Sequence, residues 1–423
     1  MVKTINEVVA DDIQGTVQRI KQQISDHFIE FRGVAENAPL RVLVDDGVRF
    51  VRLSLQAEVS FHLDTIEILD DKGENVGLGK STIISSCYEN KEAMNGSGAL
   101  LGRRNGGVGF HTEKEANPWL IVDLGTTHQI KEIVVYNRDG DYFFRAMSLM
   151  IETGTDLKHW QTVFDNWRFL KSGNMAALDD RTKALLYSAV LELGPPRAYI
   201  NQLKKQSQHE EAVVFLDQVN SLLYDRGIAM GPHGFVKTFA LFDAADKQHV
   251  YQELAQVLAW LNTEFGVSAF VSSGTLLGIV RDGALIGHDD DVDICYIGNT
   301  DSEESVIEER ARIVEFMRSK GCTMTPSDCA HYKCKTPGGL DLDLFTGFFE
   351  DGKCSFNPLG RREIEEHDVL PLQERTVQGC KLHLPANPEA FLVLNYGKNW
   401  RTPDPLWTFQ WNKAHQDFSF LYF

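Results

Sequence analysis

The spacing of hydrophobic residues changes along the first half of the chain. Between Ile13 and Phe31 they recur at helical spacing, which predicts a helix that ends near Gly33. From about Leu40 to Asn166 hydrophobic and polar residues instead alternate in short runs, which Gly, Asp and Asn separate. Several short strands divided by turn residues are typical of a β-sandwich.

A second helical pattern follows the predicted sandwich. It runs from about Trp167 to Val236, and Pro195-Pro196 breaks it in two because proline lacks the N–H that a helix interior uses. No motif in this segment points to chemistry, so we interpret it as a helical connector.

The last part of the chain mixes both periods. Residues 250–265 place hydrophobic side chains on one face of a helix that ends at Gly266, and a strand over 267–272 follows. A second amphipathic helix is predicted over 303–320, and residues 339–345 alternate strictly as a strand. Helices interleaved with strands indicate an α/β domain.

These patterns predict a multidomain protein with four segments. We expect an N-terminal helix over residues 1–36, an all-β sandwich over 37–168, a helical connector over 169–235 and an α/β domain over 236–423. A length of 423 residues fits two or three domains of ordinary size.

Charge and composition exclude several classes of function. The chain has 42 Lys and Arg against 60 Asp and Glu, a net charge of −18, and no basic block, which excludes a nucleic-acid partner. No apolar run approaches the roughly 20 residues that span a bilayer, and the N-terminus lacks the hydrophobic core of a signal peptide. Seven cysteines, an odd number, indicate free thiols in a reducing compartment. The sequence therefore predicts a cytoplasmic protein without a transmembrane segment.

Four carboxylates crowd into five positions at Asp289, Asp290, Asp291 and Asp293. Such a density of like charge is repulsive unless a cation lies among the side chains. A solvated acidic loop is the alternative, but hydrophobic residues alternate with Asp291 and Asp293 and predict a strand with one buried face. We therefore favour a metal site.

A third carboxylate is expected from a neighbouring strand. Asp341 and Asp343 alternate with leucines, so both point to the same face of their strand. Two carboxylates at i and i+2 on one strand and a third from the next can hold one divalent cation, and Mg²⁺ prefers such oxygen ligands. The sequence predicts Asp291, Asp293 and Asp343 as ligands of Mg²⁺ or Mn²⁺.

A small-residue turn, Ser273-Gly274-Thr275, comes directly after the strand over 267–272. Backbone N–H groups in such a turn can bind a phosphate, although an ordinary turn is the alternative. Arg281 follows it, and its guanidinium suits either a phosphate clamp or a salt bridge to a neighbouring carboxylate.

Residues 272–294, SSGTLLGIVRDGALIGHDDDVDI, resemble the signature of the LicD/fukutin family of the nucleotidyltransferase superfamily. Further blocks follow in the family's order over a region of about 235–405. They are Asp343-Leu344-Phe345, Pro385-Ala386-Asn387-Pro388 and Tyr396-Gly397-Lys398-Asn399-Trp400.

Two positions depart from the family pattern. His288 stands where the family usually has tryptophan, and Asp282 stands where histidine is commoner. Both changes bear on acceptor or base chemistry, whereas all the metal carboxylates are present.

The resemblance implies transfer of a phospho-alcohol, of the phosphocholine, glycerol-phosphate or ribitol-phosphate type, from a CDP-activated donor to a hydroxyl of a cell-surface glycan. It implies a role in the synthesis of a capsule or a teichoic-acid-like polysaccharide. The triad of Asp291, Asp293 and Asp343 corresponds to the family's metal carboxylates, residues 273–275 to its phosphate turn, and Arg281 to its arginine.

Other side chains receive expected roles from their chemistry. Asp289 or Asp290 could accept the proton of the acceptor hydroxyl. Tyr396 and Trp400 could stack on the base or close the pocket, and core packing is the alternative.

Two alternative functions of the α/β domain stay open. A glycosyltransferase with a DxD motif would also use paired carboxylates, but the upstream turn and the C-terminal Tyr-Gly-x-x-Trp speak against it. A glycan-binding protein with an inactive transferase domain would not need to keep three mutually repelling carboxylates.

The block from Asn117 to Gly125, NPWLIVDLG, resembles the discoidin, or coagulation factor 5/8 type C, domain. The strand from Ile130 to Arg138 and the pair Asp156 and Trp160 fit later elements of that family, and the match covers about residues 40–166.

This second resemblance implies sugar binding by loops at one end of the sandwich, with a possible structural Ca²⁺. Candidate sugar-binding residues are Arg103, Arg104, His111 and Tyr142, because polar groups beside aromatic rings suit sugars. A spacer that docks the catalytic domain is the alternative.

Cysteines 322, 329 and 334, with His331 between them, have a spacing that matches no common zinc motif. We therefore interpret the three cysteines as free thiols of the core.

Overall fold

The structure, a computed structural model, describes residues 12–140, 142–171, 175–300, 302–327 and 329–422. The chain forms two compact units, one that ends at Arg226 and one that begins at Gly227. In the described ranges, no helix is long and apolar enough to cross a membrane. Residues 1–11, the first part of the predicted N-terminal segment, lie outside them.

The first unit contains helices at both ends of a β-rich region. Its helices are α1 (Ile13–His27), α2 (Asp180–Ala189), α3 (Gly194–Lys205) and α4 (His209–Leu223). Its strands are β1 (Leu40–Leu55), β2 (Glu58–Leu63), β3 (Thr65–Asp70), β4 (Ser81–Ile84), β5 (Phe110–Ala116), β6 (Trp119–Tyr136), β7 (Leu149–Gly154) and β8 (Gln161–Asp165).

The long strands β1 and β6 organise this unit. They pair antiparallel in a sheet of order β3-β6-β1-β7-β8, in which β4 also pairs with β6, while β2 and β5 form a separate two-stranded sheet. Alternate hydrophobic residues of the long strands, such as Leu53 and Ile133, are fully buried. The predicted sheet-rich N-terminal region is therefore confirmed.

Helix α1 is shorter than its sequence pattern predicts. The Asp12 carboxylate caps its start by accepting the Gly15 N–H at 2.6 Å, but the helix ends at His27 and not near Gly33. The chain then becomes extended, and the Asn166 side chain bonds both the N–H and the carbonyl of Ile29, each at 2.9 Å. The Asn166 side chain thus replaces helical hydrogen bonds at Ile29. Phe31 is still buried, although it is not helical.

Where the structure describes it, the predicted connector contains three α-helices instead of two. Pro195 and Pro196 are the second and third residues of α3, in its first turn, where a missing N–H costs nothing. These helices belong to the first compact unit, and the predicted boundary at residue 235 lies on a short strand of the second.

The second unit is a mixed sheet with helices. Its helices are α5 (Ala244–Ala259), α6 (Ser273–Arg281), α7 (Glu303–Ser319), α8 (Glu366–Val369), α9 (Pro388–Tyr396) and α10 (Asn412–Asp417). Its strands are β9 (Ala229–Gly231), β10 (Gly234–Val236), β11 (Ser268–Val271), β12 (Val292–Ile297), β13 (Thr323–Pro326), β14 (Tyr332–Lys335), β15 (Asp341–Glu350), β16 (Lys353–Phe356), β17 (Gly360–Glu365), β18 (Gln373–Val377) and β19 (Cys380–Leu384).

The central sheet of this unit has the order β11-β12-β15-β14-β13, and β16 and β17 extend it from β15. Strands β12 and β15 run parallel, whereas β14 runs antiparallel to β15. Helix α5 continues as a π-helical turn over Trp260–Phe265 and ends at Gly266, whose φ of +92° favours glycine. The mixed helical and sheet character predicted for the C-terminal region is confirmed.

Candidate functional site

Three carboxylates converge at one end of the central sheet. Asp291 lies just before β12, Asp293 lies within it, and Asp343 lies on β15 directly opposite Asp293. One oxygen from each lies within 4.8 Å of the others. In the described part of the chain, no other group of three His, Cys, Asp or Glu side chains converges in this way.

The charges in this cluster are unfavourable without a cation. Burial raises the pKa of the Asp293 carboxyl well above its usual range, and the charges of Asp291, Asp289 and Asp343 raise it further. Burial also raises the pKa of Asp291, against the charge of His233, which lowers it. The donors are all carboxylate oxygens, so the residues fit a hard divalent cation such as Mg²⁺ or Mn²⁺.

The residues of the predicted phosphate turn form the first turn of α6 and hold Asp293 in place. The Gly274 N–H donates to Asp293 Oδ2 at 2.9 Å, and the Asp293 N–H donates to Thr275 Oγ1 at 2.8 Å. A Cβ on Gly274 would lie 2.5 Å from Asp289 Oδ2, so glycine is needed here for close approach. Ser273 has a φ of +43°, unusual for a residue with a side chain. The turn thus orients a carboxylate, and phosphate binding by it stays a prediction.

The other two clustered carboxylates differ in their surroundings. Asp290 accepts from His233 Nδ1 at 3.1 Å, and this contact raises the pKa of His233 to about 9. Burial raises the pKa of Asp289, and the charges of Asp291 and Asp290 add to the effect. His233 lies in the turn between β9 and β10, before the family motifs, and nothing in its spacing marked it as a site residue.

Arg281 forms the salt bridge that was the alternative to a phosphate clamp. Its Nε and a terminal nitrogen donate to the two oxygens of Asp282 at 2.9 and 2.8 Å. Asp282 is one of the two positions that depart from the family pattern. The residue that differs from the family is therefore the one that pairs with Arg281.

The two predicted C-terminal aromatic residues lie in different places. Burial raises the pKa of Tyr396, and the charges of Asp293 and Asp289 raise it further, so its hydroxyl is near the cluster. Its ring lies 4.4 Å from that of Trp407. Trp400 is 4% exposed and belongs to the hydrophobic core, which favours the packing interpretation for that residue.

His331 contacts the cluster instead of a zinc site. Its Nε2 lies 2.9 Å from Asp343 Oδ2, and the ring stacks 6.2 Å from that of Trp411. All seven cysteines are free thiols, and Cys322 and Cys334 are buried. Cys322 and Cys334 therefore agree with core thiols, whereas Cys329 is half-buried and does not belong to the core.

A separate group of basic and aromatic side chains lies in the first unit. His62 and His111, opposite each other on β2 and β5, have ring centroids 5.3 Å apart. The guanidinium groups of Arg138 and Arg145 lie 5.3 and 4.4 Å from the ring centroid of Tyr142. Burial lowers the pKa of both histidines, and the charges of the two arginines lower it further, so the arginines link the histidine pair to Tyr142. We call these five residues the basic cluster.

Two of the four predicted sugar-binding residues, His111 and Tyr142, belong to the basic cluster. Arg104 does not, because its guanidinium donates to both oxygens of Glu67 at 2.8 and 2.7 Å. Arg103 is exposed, and its carbonyl accepts from Thr65 Oγ1 at 2.5 Å. The sequence missed Arg138 and Arg145, which directly flank the loop that holds Tyr142. It also missed His62, which is 1% exposed with neither ring nitrogen hydrogen-bonded in the described residues.

Comparison with known families supports a transferase for the second unit and a sugar-binding type of domain for the first. Residues 266–387 match the family described as LicD/FKTN/FKRP, nucleotidyltransferase domain. Residues 102–180 match the family described as NedA-like, galactose-binding domain. Both matches confirm the two resemblances that the motifs indicated. A search of curated protein sequences found no significant match.

Among solved structures, the chain is similar to the antibiotic-resistance factor ANT(2'')-Ia, whose solution structure shows substrate-regulated conformation dynamics. The identity is 13%, the alignment covers 41% of this chain and 82% of that chain, and the TM-score is 0.24. A likeness this weak supports no assignment.

Proposed function

We propose that this protein transfers a phospho-alcohol from a CDP-activated donor to a hydroxyl of a glycan, with Mg²⁺ or Mn²⁺ bound by Asp291, Asp293 and Asp343. The observation that carries the proposal is the convergence of these three carboxylates inside a region that matches the LicD/FKTN/FKRP domain. The metal, when bound, supplies Lewis-acid stabilisation of charge on the donor's diphosphate.

In the proposed reaction, an oxygen of the acceptor glycan attacks the phosphorus that carries the alcohol. A new P–O bond forms to the acceptor, the bond to the bridging oxygen breaks, and cytidine monophosphate leaves with that oxygen. The roles of this chain are to hold the donor, to align the acceptor hydroxyl and to remove its proton.

Asp289 is the better candidate of the two for the general base. Burial and neighbouring negative charge raise its pKa, which makes its carboxylate a stronger proton acceptor. Asp290 instead accepts a hydrogen bond from His233 Nδ1 at 3.1 Å, so its carboxylate is already engaged with a side chain of this protein.

The test is release of cytidine monophosphate from CDP-choline, CDP-glycerol and CDP-ribitol in the presence of Mg²⁺ and an acceptor glycan. Turnover should disappear in Asp291→Asn and Asp343→Asn. Asp341→Asn is a matched control, because Asp341 lies on β15 two residues from Asp343 but is exposed and paired with Lys335. Wild-type turnover in the first two variants would contradict the proposal.

The alternatives predict other results. A DxD glycosyltransferase would release a nucleoside diphosphate from a sugar nucleotide, and an inactive domain would release nothing from any donor. The nucleotidyltransferase-domain match favours the phosphotransferase. We also propose a cytoplasmic location, which the seven free cysteines support.

For the first unit we propose glycan binding at the basic cluster, which would bring the acceptor to the enzyme. Arginine and histidine donors beside the Tyr142 ring suit sugar hydroxyls and a sugar face. A structural Ca²⁺ in this unit stays a prediction, which calcium titration can test.

Titration of the full chain with acceptor glycans tests this second proposal. Arg145→Ala should weaken binding at least about tenfold, on the scale of one lost charge-assisted hydrogen bond. Arg104→Ala is the control, because Arg104 is engaged with Glu67 and should leave glycan affinity unchanged. No saturable binding by the wild type would favour the spacer interpretation.

A further inference from the structure

One cationic side chain stands in the same row of the sheet as the metal carboxylates. Asp293 on β12 is directly opposite Asp343 on β15, and Asp343 is directly opposite Lys333 on β14. Directly opposite residues on neighbouring strands project from the same face, about 4.5–5.5 Å apart. Lys333 therefore lies two strands away from Asp293, on the face of the sheet that carries the site.

The next lysine on the same strand shows that Lys333 is unusual. Lys335 is directly opposite Asp341, and its ammonium lies 3.0 Å from that carboxylate. Lys333 has the same relation to Asp343, but that carboxylate contacts His331 Nε2 at 2.9 Å instead. In the described ranges, Lys333 forms no ion pair and no side-chain hydrogen bond.

The Lys333 ammonium nevertheless faces the site. The strand register places it on that face, and although burial raises the pKa of Asp291, the charges of His233 and Lys333 act against that rise. Two other cations near the carboxylates are already engaged, His233 with Asp290 and Arg281 with Asp282. A phosphate approaching this acidic site is repelled by the carboxylates, so an unengaged cation beside the metal position is the group that can attract it.

We infer that Lys333 is a substrate-binding residue that contacts a phosphate oxygen of the nucleotide donor. This inference rests on the proposed function and adds a protein contact that the family motifs do not contain. A lysine acts here as a point charge on a flexible stem, so it can follow the phosphate as bonds to phosphorus form and break.

The experiment compares Lys333→Met with Lys335→Met in the full chain. The two lysines share a strand and a face, and methionine keeps most of the aliphatic stem. With Mg²⁺ and a turned-over CDP-alcohol, Lys333→Met should raise the KM for the donor at least about tenfold, as expected for a charge-assisted hydrogen bond. Lys335→Met should leave both kcat and KM within about twofold of wild type.

Two further measurements separate substrate binding from a structural role. Lys333→Arg should restore much of the donor affinity, because it restores the charge. Mg²⁺ affinity should not fall in Lys333→Met, and its unfolding midpoint should stay close to that of wild type, because Lys333 is exposed and is not a metal ligand. A KM for Lys333→Met equal to that of wild type would overturn the inference.

Binding of cytidine diphosphate, measured by calorimetry with Mg²⁺, keeps this inference distinct from the proposed function. If no CDP-alcohol is turned over but wild type binds cytidine diphosphate and Lys333→Met binds it at least about tenfold more weakly, the proposed reaction is wrong and the Lys333 contact stands. Equal binding by both, or no binding by wild type, overturns the contact.

Discussion

Replacing Asp293 with asparagine should stabilise the metal-free protein at about pH 8, the reverse of the usual effect of changing a buried residue. Asp293 is 9% exposed, and its carboxylate is surrounded by the charges of Asp291, Asp289 and Asp343. Asparagine removes the charge, keeps the size, and can still accept the Gly274 N–H. Without a cation, therefore, the substitution relieves repulsion at little cost in packing.

The magnitude follows from the pKa values of the cluster. A carboxyl whose pKa is raised on folding binds its proton more tightly in the native state, so stability falls as the pH rises from the unfolded pKa through the folded one. For Asp291, a rise from 3.8 to about 6 corresponds to roughly 3 kcal/mol at most, and partial exposure to solvent reduces this to about 1–3 kcal/mol. Asp293 has the same sign, so we expect Asp293→Asn to gain on the order of 1–3 kcal/mol at about pH 8 and almost nothing near pH 4.

Denaturant unfolding of the full chain in EDTA, at about pH 4 and about pH 8, measures this difference. Repeating it with Mg²⁺ at about 100 times its dissociation constant should stabilise wild type by about 2.7 kcal/mol and the variant far less. Asp341→Asn, which changes an exposed carboxylate on β15 outside the cluster, should match wild type both in EDTA and in its stabilisation by Mg²⁺. A loss of stability in metal-free Asp293→Asn at about pH 8, or equal stabilisation of both proteins by Mg²⁺, would refute the reasoning.

Three other predictions concern single features. Gly274→Ala places a Cβ 2.5 Å from Asp289 Oδ2, and should destabilise the protein by about 1–3 kcal/mol and lower kcat; unchanged unfolding and turnover would contradict this. Glu350, whose pKa is lowered to about 2 by hydrogen bonds from Arg361, contributes stability that is present above pH 4.5 and lost as the pH falls toward 2. Glu350→Gln should therefore cost about 1–3 kcal/mol near pH 7 and much less near pH 3, and a deficit independent of pH would argue against the ion pair. A thiol reagent should modify the three half-buried cysteines of the native protein before the four buried ones, and uniform reaction of all seven would contradict the buried placements.

The part of the site that the sequence predicted is the part built by one short segment. Hydrophobic residues alternating with Asp291 and Asp293 predict a strand with one buried face, and the structure places β12 there but buries both of its faces. The sequence also named Asp343 as the third ligand, and the register of β12 and β15, which places it directly opposite Asp293, agrees with that choice. Helix ends were less predictable, since α1 ends at His27 where the Asn166 side chain replaces the helical bonds.

The part of the site that the sequence missed comes from elements distant along the chain. His233 reaches Asp290 from a hairpin turn 57 residues earlier, and a histidine in a turn has no periodicity to mark it. The basic cluster likewise contains Arg138 and Arg145, whereas Arg104, an equal candidate by residue type, is occupied by Glu67. Residue type can indicate a candidate binding residue. Whether its side chain is free to bind a substrate depends on its pairing with neighbouring residues.

The sequence by itself determined the local elements, the acidic strand, and the two resemblances on which the expected chemistry rests. These properties depend on residues close together along the chain, and side-chain period and like-charge repulsion act at that range. Only the tertiary structure decided which side chains stand beside the carboxylates, because strand register and helix placement bring distant residues together. Lys333 and Lys335 are alike in sequence and strand, yet His331 next to Asp343 leaves one lysine unpaired at the site while Asp341 holds the other.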